Sequence, residues 1–179
     1  MATITESPEI AGLLIVEPKI FTDDRGLFIE TFRQEWLPEG APTMCQANRA
    51  DRKAGSLVGL HYHKFQEDFW YVPEGRCFVA LHDLRASSPT DGNSLTLEIG
   101  PHNHMGVYIP RGVAHGFYAM TDMTITYLVD NYYNPADELG VAWNDPALKI
   151  DWPDADPVLS PRDQANPFRA DIPADLQPQ

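Results

Sequence analysis

In the stretch "GLHYHKFQED", His61 and His63 stand two residues apart, and Glu67 follows four residues after the second. On a β-strand, residues i and i+2 share a face, so the two imidazoles point into one space. Two chemistries suit that arrangement. In the first, His61, His63 and Glu67, joined by His115 of "PRGVAH", hold a divalent transition metal through nitrogen and carboxylate donors. In the second, a neutral histidine whose tautomer is fixed by a carboxylate removes a proton from a carbon beside a ketone, and a tyrosine hydroxyl returns one from the opposite side.

The elements that carry these residues read as short strands. Sixteen prolines and twelve glycines are spread along 179 residues, between apolar runs too brief for long helices. "GLLIVEP" reads as a strand ended by Pro18, Asp24 to Gly26 as a turn, and Leu27 to Phe32 as the next strand. "FRQEWL" offers a single helical turn. "RCFVALHDLR" and "SLTLEIG" form a hairpin across "ASSPTDGN", and in the second of them Leu95, Leu97 and Ile99 alternate with polar residues. "GVYIP", "GFYAM" and "TITYLVDNYY" continue the pattern. In "EDFWYV", alternation sends Phe69 and Tyr71 to one face and Trp70 to the other. The last 29 residues hold six prolines and are expected to run extended over the body. An all-β sandwich or barrel follows, as one domain over residues 1–179 with short peripheral helical turns.

Charge narrows the partners. Twenty-six acidic residues against thirteen basic ones give a formal net charge of −13, which disfavours nucleic acid and anionic membranes. Seven of the thirteen basic residues lie between Lys19 and Lys64, either as a local cationic patch or as a salt-bridged surface. No apolar run reaches the roughly 20 residues that span a bilayer, and "MATITESPEI" has no basic n-region, so a cytoplasmic protein is expected. Cys45 and Cys77 read as small buried residues.

The pattern H-x-H-x3-E with the later P-x-G-x2-H resembles the two signature motifs of metal-binding cupins. Over nearly its whole length, however, the chain resembles the dTDP-4-dehydrorhamnose 3,5-epimerase family. The blocks that carry the likeness are "DDRGLFIETF", "QANRADRKAGSLVGLHYH", "FVALHDLRASSPTDG", "YIPRGVAHGFYAM", "YLVDNYYNPADELGVAWNDPALKIDWP" and "LSPRD", in that order. The resemblance implies a cupin-type β-sandwich or jelly-roll barrel, homodimeric, working without metal or other cofactor on a nucleotide-diphosphate sugar. It implies epimerisation at C3, C5 or both of a 4-keto-6-deoxyhexose, with His61 as general base, Asp163 as its dyad partner and Tyr133 as general acid. It places Arg25, Phe28, Glu30, Gln46, Asn48, His63 and His115 in the substrate site. Two departures stand out: Val58 and His63 occupy positions usually held by arginine and glutamine, and Asp68 falls where a lysine usually stabilises the developing enolate. The rival expectations are a metal cupin using His61, His63, Glu67 and His115, as dioxygenase or isomerase, and a non-catalytic sugar-nucleotide-binding cupin.

Overall fold

The computed structural model describes residues 1–179. Thirteen strands form two main sheets and one separate hairpin. The six-stranded sheet runs in the order β1 (Thr3–Glu6), β2 (Leu14–Glu17), β10 (Gly106–Ile109), β7 (Asp68–Glu74), β12 (Met123–Val129) and β5 (Gln46–Arg52). The five-stranded sheet runs β13 (Leu139–Gly140), β6 (Leu57–Tyr62), β11 (Val113–Ala119), β8 (Cys77–Asp83) and β9 (Ser94–Ile99). All pairings within the named strands are antiparallel, and β8 and β9 pair as the expected hairpin. This is the cupin-type sandwich. No helix is long and apolar enough to cross a membrane.

Alternation along the strands builds three apolar layers. Trp70, Val72, Val107, Ile109 and Ile125 of one sheet meet Val79, Leu81, Val113 and Phe117 of the other in the central core. The alternate residues Phe69, Tyr71 and Tyr108 pack on the outside of the six-stranded sheet beneath Trp36 and Leu37. As the alternation requires, Trp70 therefore lies on the opposite face from Phe69 and Tyr71. Both faces of β7 are covered, which accounts for its buried run from Asp68 to Val72. On the outside of the other sheet, Leu60, Tyr62, Ala80 and Ala114 lie beneath Leu148 and Ile172 from the C-terminal segment. Burying side chains of that size contributes about 1.5–3 kcal/mol each, enough to hold the tail against the barrel.

Several local expectations need correction. The strand after the Asp24–Gly26 turn ends at Ile29 and does not reach Phe32. Phe32 instead packs edge-on against Phe69, with 5.1 Å between centroids, and the chain turns into a 3-10 segment at Gln34–Trp36 that buries Trp36. Cys77 is buried, but Cys45 is exposed. The tail is largely irregular but contains one short helix, α1 (Pro161–Gln164), started by Pro161 and capped by the Ser160 hydroxyl. Four of the seven basic residues between Lys19 and Lys64 are paired with carboxylates: Arg25 with Asp23, Arg33 with Glu30 and Glu35, Arg49 with Asp51, and Lys53 with Asp122.

Candidate active site

A bulge in β6 sets the direction of the histidines. His115 faces His61 across the β11–β6 pair and Phe117 faces Val58, so two steps on one strand match three on the other. The extra residue shifts the phase of alternation. Val58 packs toward the central core, Leu60 and Tyr62 pack outward, and His61 and His63 line the cavity. Bulges re-aim side chains in this way. Gly59 is required there: its φ is +108°, and a Cβ would lie 2.7 Å from the His115 carbonyl oxygen and 2.8 Å from the Gly116 Cα.

The cavity, of about 330 Å³, lies between the sheets. His61 Nε2 is 2.6 Å from Asp163 Oδ1, linking residues 102 positions apart in sequence. The tail is pinned beside β6 by hydrogen bonds from Leu57 N to Val158 O and from Val158 N to Gly55 O, both 2.9 Å. The first turn of α1 then presents Asp163 to the dyad. Its second oxygen accepts from Gly59 N at 3.3 Å. Burial pushes the Asp163 carboxyl up, but the hydrogen bond and charge of His61 and the Gly59 N–H outweigh it and hold the group below its ordinary range. An ionised Asp163 accepts only, so Nε2 of His61 carries a hydrogen and the lone pair of the neutral ring sits on Nδ1. Glu138, which the sequence reading did not single out, lies 4.0 Å from that nitrogen and 3.5 Å from Arg162.

Tyr133 lines the same cavity and is 67% exposed, which places it at the mouth. Gln46, Asn48, His63 and His115 also line it, and Gln46 Nε2 donates to Asn48 Oδ1 at 2.8 Å. Arg25, Phe28 and Glu30 do not. They sit on or beside the separate hairpin of β3 (Ile20–Asp23) and β4 (Gly26–Ile29). There the Arg25 side chain is 89% exposed, Phe28 is 64% exposed, and Glu30 pairs with Arg33.

The metal set His61, His63, Glu67 and His115 is not assembled. His61 is engaged by Asp163, and Glu67 is held away from the histidines, accepting from the Tyr108 hydroxyl at 2.6 Å near Arg111. The carboxylate beside the histidines is Asp68, which shares the inward face of β7 with Trp70. Donor atoms of His63, Asp68 and His115 all lie within 4.8 Å of one another, and all three residues are buried. The Trp70 ring stands edge-on to His115, 5.2 Å between centroids. Burial pushes the His115 imidazole down to about 4; Asp68 acts in the opposite direction, while His63 reinforces the shift. Neither Glu138 nor the pairing of Asp68 with the two histidines has a periodic sequence signal, because each depends on strand phase or on a distant loop.

A family profile described as dTDP-4-dehydrorhamnose 3,5-epimerase matches residues 7–171. A dTDP-4-dehydrorhamnose 3,5-epimerase of Neisseria gonorrhoeae is 39% identical over 157 residues, 84% of this chain and 48% of that protein, so the chain spans about half the length of this relative. A dTDP-6-deoxy-D-glucose-3,5-epimerase from Legionella pneumophila, solved with dTDP-4-keto-L-rhamnose, superposes with a TM-score of 0.93 at 35% identity, covering 100% of this chain and 98% of the other. A 3'-monoepimerase from Streptomyces bikiniensis, solved with dTDP-quinovose, gives a TM-score of 0.90 at 32% identity, covering 98% and 93%.

Proposed function

We propose, for a chain that belongs to the dTDP-4-dehydrorhamnose 3,5-epimerase family and is an epimerase of dTDP-linked 4-keto-6-deoxyhexoses, that His61, Asp163 and Tyr133 carry the proton transfers. The ketone at C4 acidifies the hydrogens on C3 and C5. His61 Nδ1 takes one of them, the C–H electron pair moves into an enolate at C4–O4, and the adjacent Asp163 carboxylate stabilises the imidazolium that forms. The Tyr133 O–H then gives its proton to the same carbon from the opposite face, inverting the centre; the tyrosinate is reprotonated from water at the cavity mouth, and the His61 imidazolium returns its proton to water, which resets both groups. The observation that carries this reading is the 2.6 Å pair of the partly buried His61 with the buried Asp163, on a cavity that Tyr133 also lines.

The nucleotide end of the site is completed by a second copy of the chain. The hairpin is a two-stranded sheet on its own, with Ile20, Phe21, Leu27 and Phe28 exposed, and such hairpins are marginal in water unless covered. Its Arg25, Phe28 and Glu30 are assigned to the substrate site by resemblance yet lie outside the cavity of their own chain, and a homodimer resolves both points. Replacing Leu27 and Phe28 together by Ser should convert the dimer to monomer in light scattering and raise KM for the nucleotide sugar; an unchanged dimer with unchanged KM removes the hairpin from the interface. A soluble, cytoplasmic location belongs to the same reading.

Solvent deuterium incorporation tests the activity across dTDP-, GDP- and CDP-linked 4-keto-6-deoxyhexoses. Label at C3 and C5 of the dTDP sugar is the expected outcome, and label at C3 alone identifies a single-site enzyme. No label in any substrate overturns the epimerase mechanism.

A further inference from the structure

We propose that His63, Asp68 and His115 form a binding site for one divalent first-row transition metal ion on the wall of the cavity, and that this ion polarises O4 of the substrate. The inference rests on the epimerase reading for its role, but not for its site.

The donors are prepared for a metal. His63 Nδ1 is 2.8 Å from the Asp137 carbonyl oxygen, and His115 Nδ1 is 2.9 Å from the Val113 carbonyl oxygen. A carbonyl only accepts, so both Nδ1 atoms carry hydrogen, and in the neutral rings both Nε2 atoms present lone pairs. Histidine ligands are commonly oriented in this way, by donating the other ring N–H to a backbone carbonyl. Asp137 is itself fixed, since its carboxylate accepts from Lys64 N at 2.7 Å and Phe65 N at 3.0 Å. Asp68 accepts from Gln66 Nε2 at 2.9 Å and from Trp70 Nε1 at 3.1 Å. These neutral donors orient the carboxylate and leave its charge uncompensated.

The spacing fits as well. Ligand atoms about 2.1 Å from a metal at angles of 90–110° lie roughly 3.0–3.4 Å apart. The three donor atoms here lie within 4.8 Å of one another, so shifts of under about 1 Å in each side chain close the site. Two imidazoles and one carboxylate leave further coordination positions open, as in the 2-His-1-carboxylate sites of divalent iron and similar metals.

Charge gives the ion a task. The enolate oxygen becomes negative in a cavity lined by two carboxylates, Asp68 and Glu138, and a single fixed cation, Arg52. Gln46 is in register with Val129, and Val129 with Asp68, whereas Arg52 stands six residues further along β5, roughly 20 Å away along the strand. A dication on Asp68 turns a local charge of −1 into +1 beside the developing oxyanion, the electrostatic assistance on which such steps depend.

The test uses the full-length protein, stripped with a chelator and titrated with Co²⁺ and, in competition, Zn²⁺. One equivalent per chain should bind with a visible d–d spectrum and a raised Tm. Asp68→Asn and His63→Gln, each shown to be folded by its near-UV spectrum, should weaken binding by about tenfold or more. Deuterium exchange at C3 and C5 should fall at least tenfold in the stripped protein and return with metal. Absence of saturable binding, or binding that Asp68→Asn leaves unchanged, overturns the site. Site-specific binding with full exchange in the stripped protein overturns the role at O4 and leaves the epimerase reading intact. Site-specific binding with no exchange under any condition upholds the site and refutes the epimerase reading.

Discussion

Asp163→Asn isolates the dyad with almost no change of shape. In the native site Oδ1 accepts from His61 and Oδ2 from Gly59 N–H, so the carboxylate satisfies two donors at once. An asparagine has one acceptor oxygen. If it faces His61, the amide NH₂ confronts the Gly59 N–H; if it faces Gly59, the NH₂ donates to His61 Nε2 and drives the ring hydrogen onto Nδ1, the basic nitrogen. Both orientations also remove the charge that stabilises the imidazolium. For charge centres about 4 Å apart at an effective dielectric near 20, that charge is worth about 4 kcal/mol, or about 10³ in rate. We therefore expect kcat to fall by about 10³ with KM changed no more than a few-fold, because the loss falls on the transition state. The measurement is deuterium wash-in at C3 and C5 by NMR on the dTDP-linked 4-keto sugar, with thermal unfolding to confirm the fold. His61→Asn should lose a comparable factor, and the double variant should be little worse than either single one. An Asp163→Asn enzyme within threefold of the native rate, or fully multiplicative losses in the double variant, would refute the dyad.

On the proposed mechanism Tyr133→Phe removes the acid but not the base, so deuterium exchange with retention should continue while inversion drops by about 10² or more; equal loss of both would move the base role to Tyr133. Gly59→Ala forces a Cβ against the backbone of β11 at a left-handed φ, and a loss of about 2–4 kcal/mol in denaturant unfolding is expected; a loss under about 0.5 kcal/mol would show that the bulge adapts freely. His82 is fully buried, its Nδ1–H donating to the Ser94 hydroxyl and its Nε2 accepting from Arg169, and burial followed by the Arg169 charge lowers it to about 4. Between that value and the unfolded pKa of about 6.5, the unfolded chain binds the extra proton. The stability is therefore complete above that upper limit and is lost as pH falls, by about 2 kcal/mol at about pH 5; a His82→Gln protein with the same pH slope in urea melts would contradict this assignment.

The residues proposed to transfer protons stand out in the chain itself through its resemblance to the family. The family blocks implied His61, Asp163 and Tyr133 together, and strand alternation separated Trp70 from Phe69 and Tyr71, because side-chain period is a local property. Other features arise only when distant segments meet. The pairing of Asp163 with His61 was implied only by the family block "LSPRD"; it forms because Leu148 and Ile172 bury themselves on the outer face of the five-stranded sheet and Val158 bonds along β6, a consequence of packing that no local pattern records. The choice of Asp68 over Glu67 as the carboxylate beside the histidines is likewise tertiary. Adjacent residues on a strand face opposite ways, and which one faces the cavity was decided by how β7 sits between its neighbours. The hairpin with Arg25 and Phe28 makes the same point from outside: its residue types are plain in the sequence, but its distance from its own cavity follows from the path the chain takes once Phe32 and Trp36 bury themselves on the outer face of the six-stranded sheet.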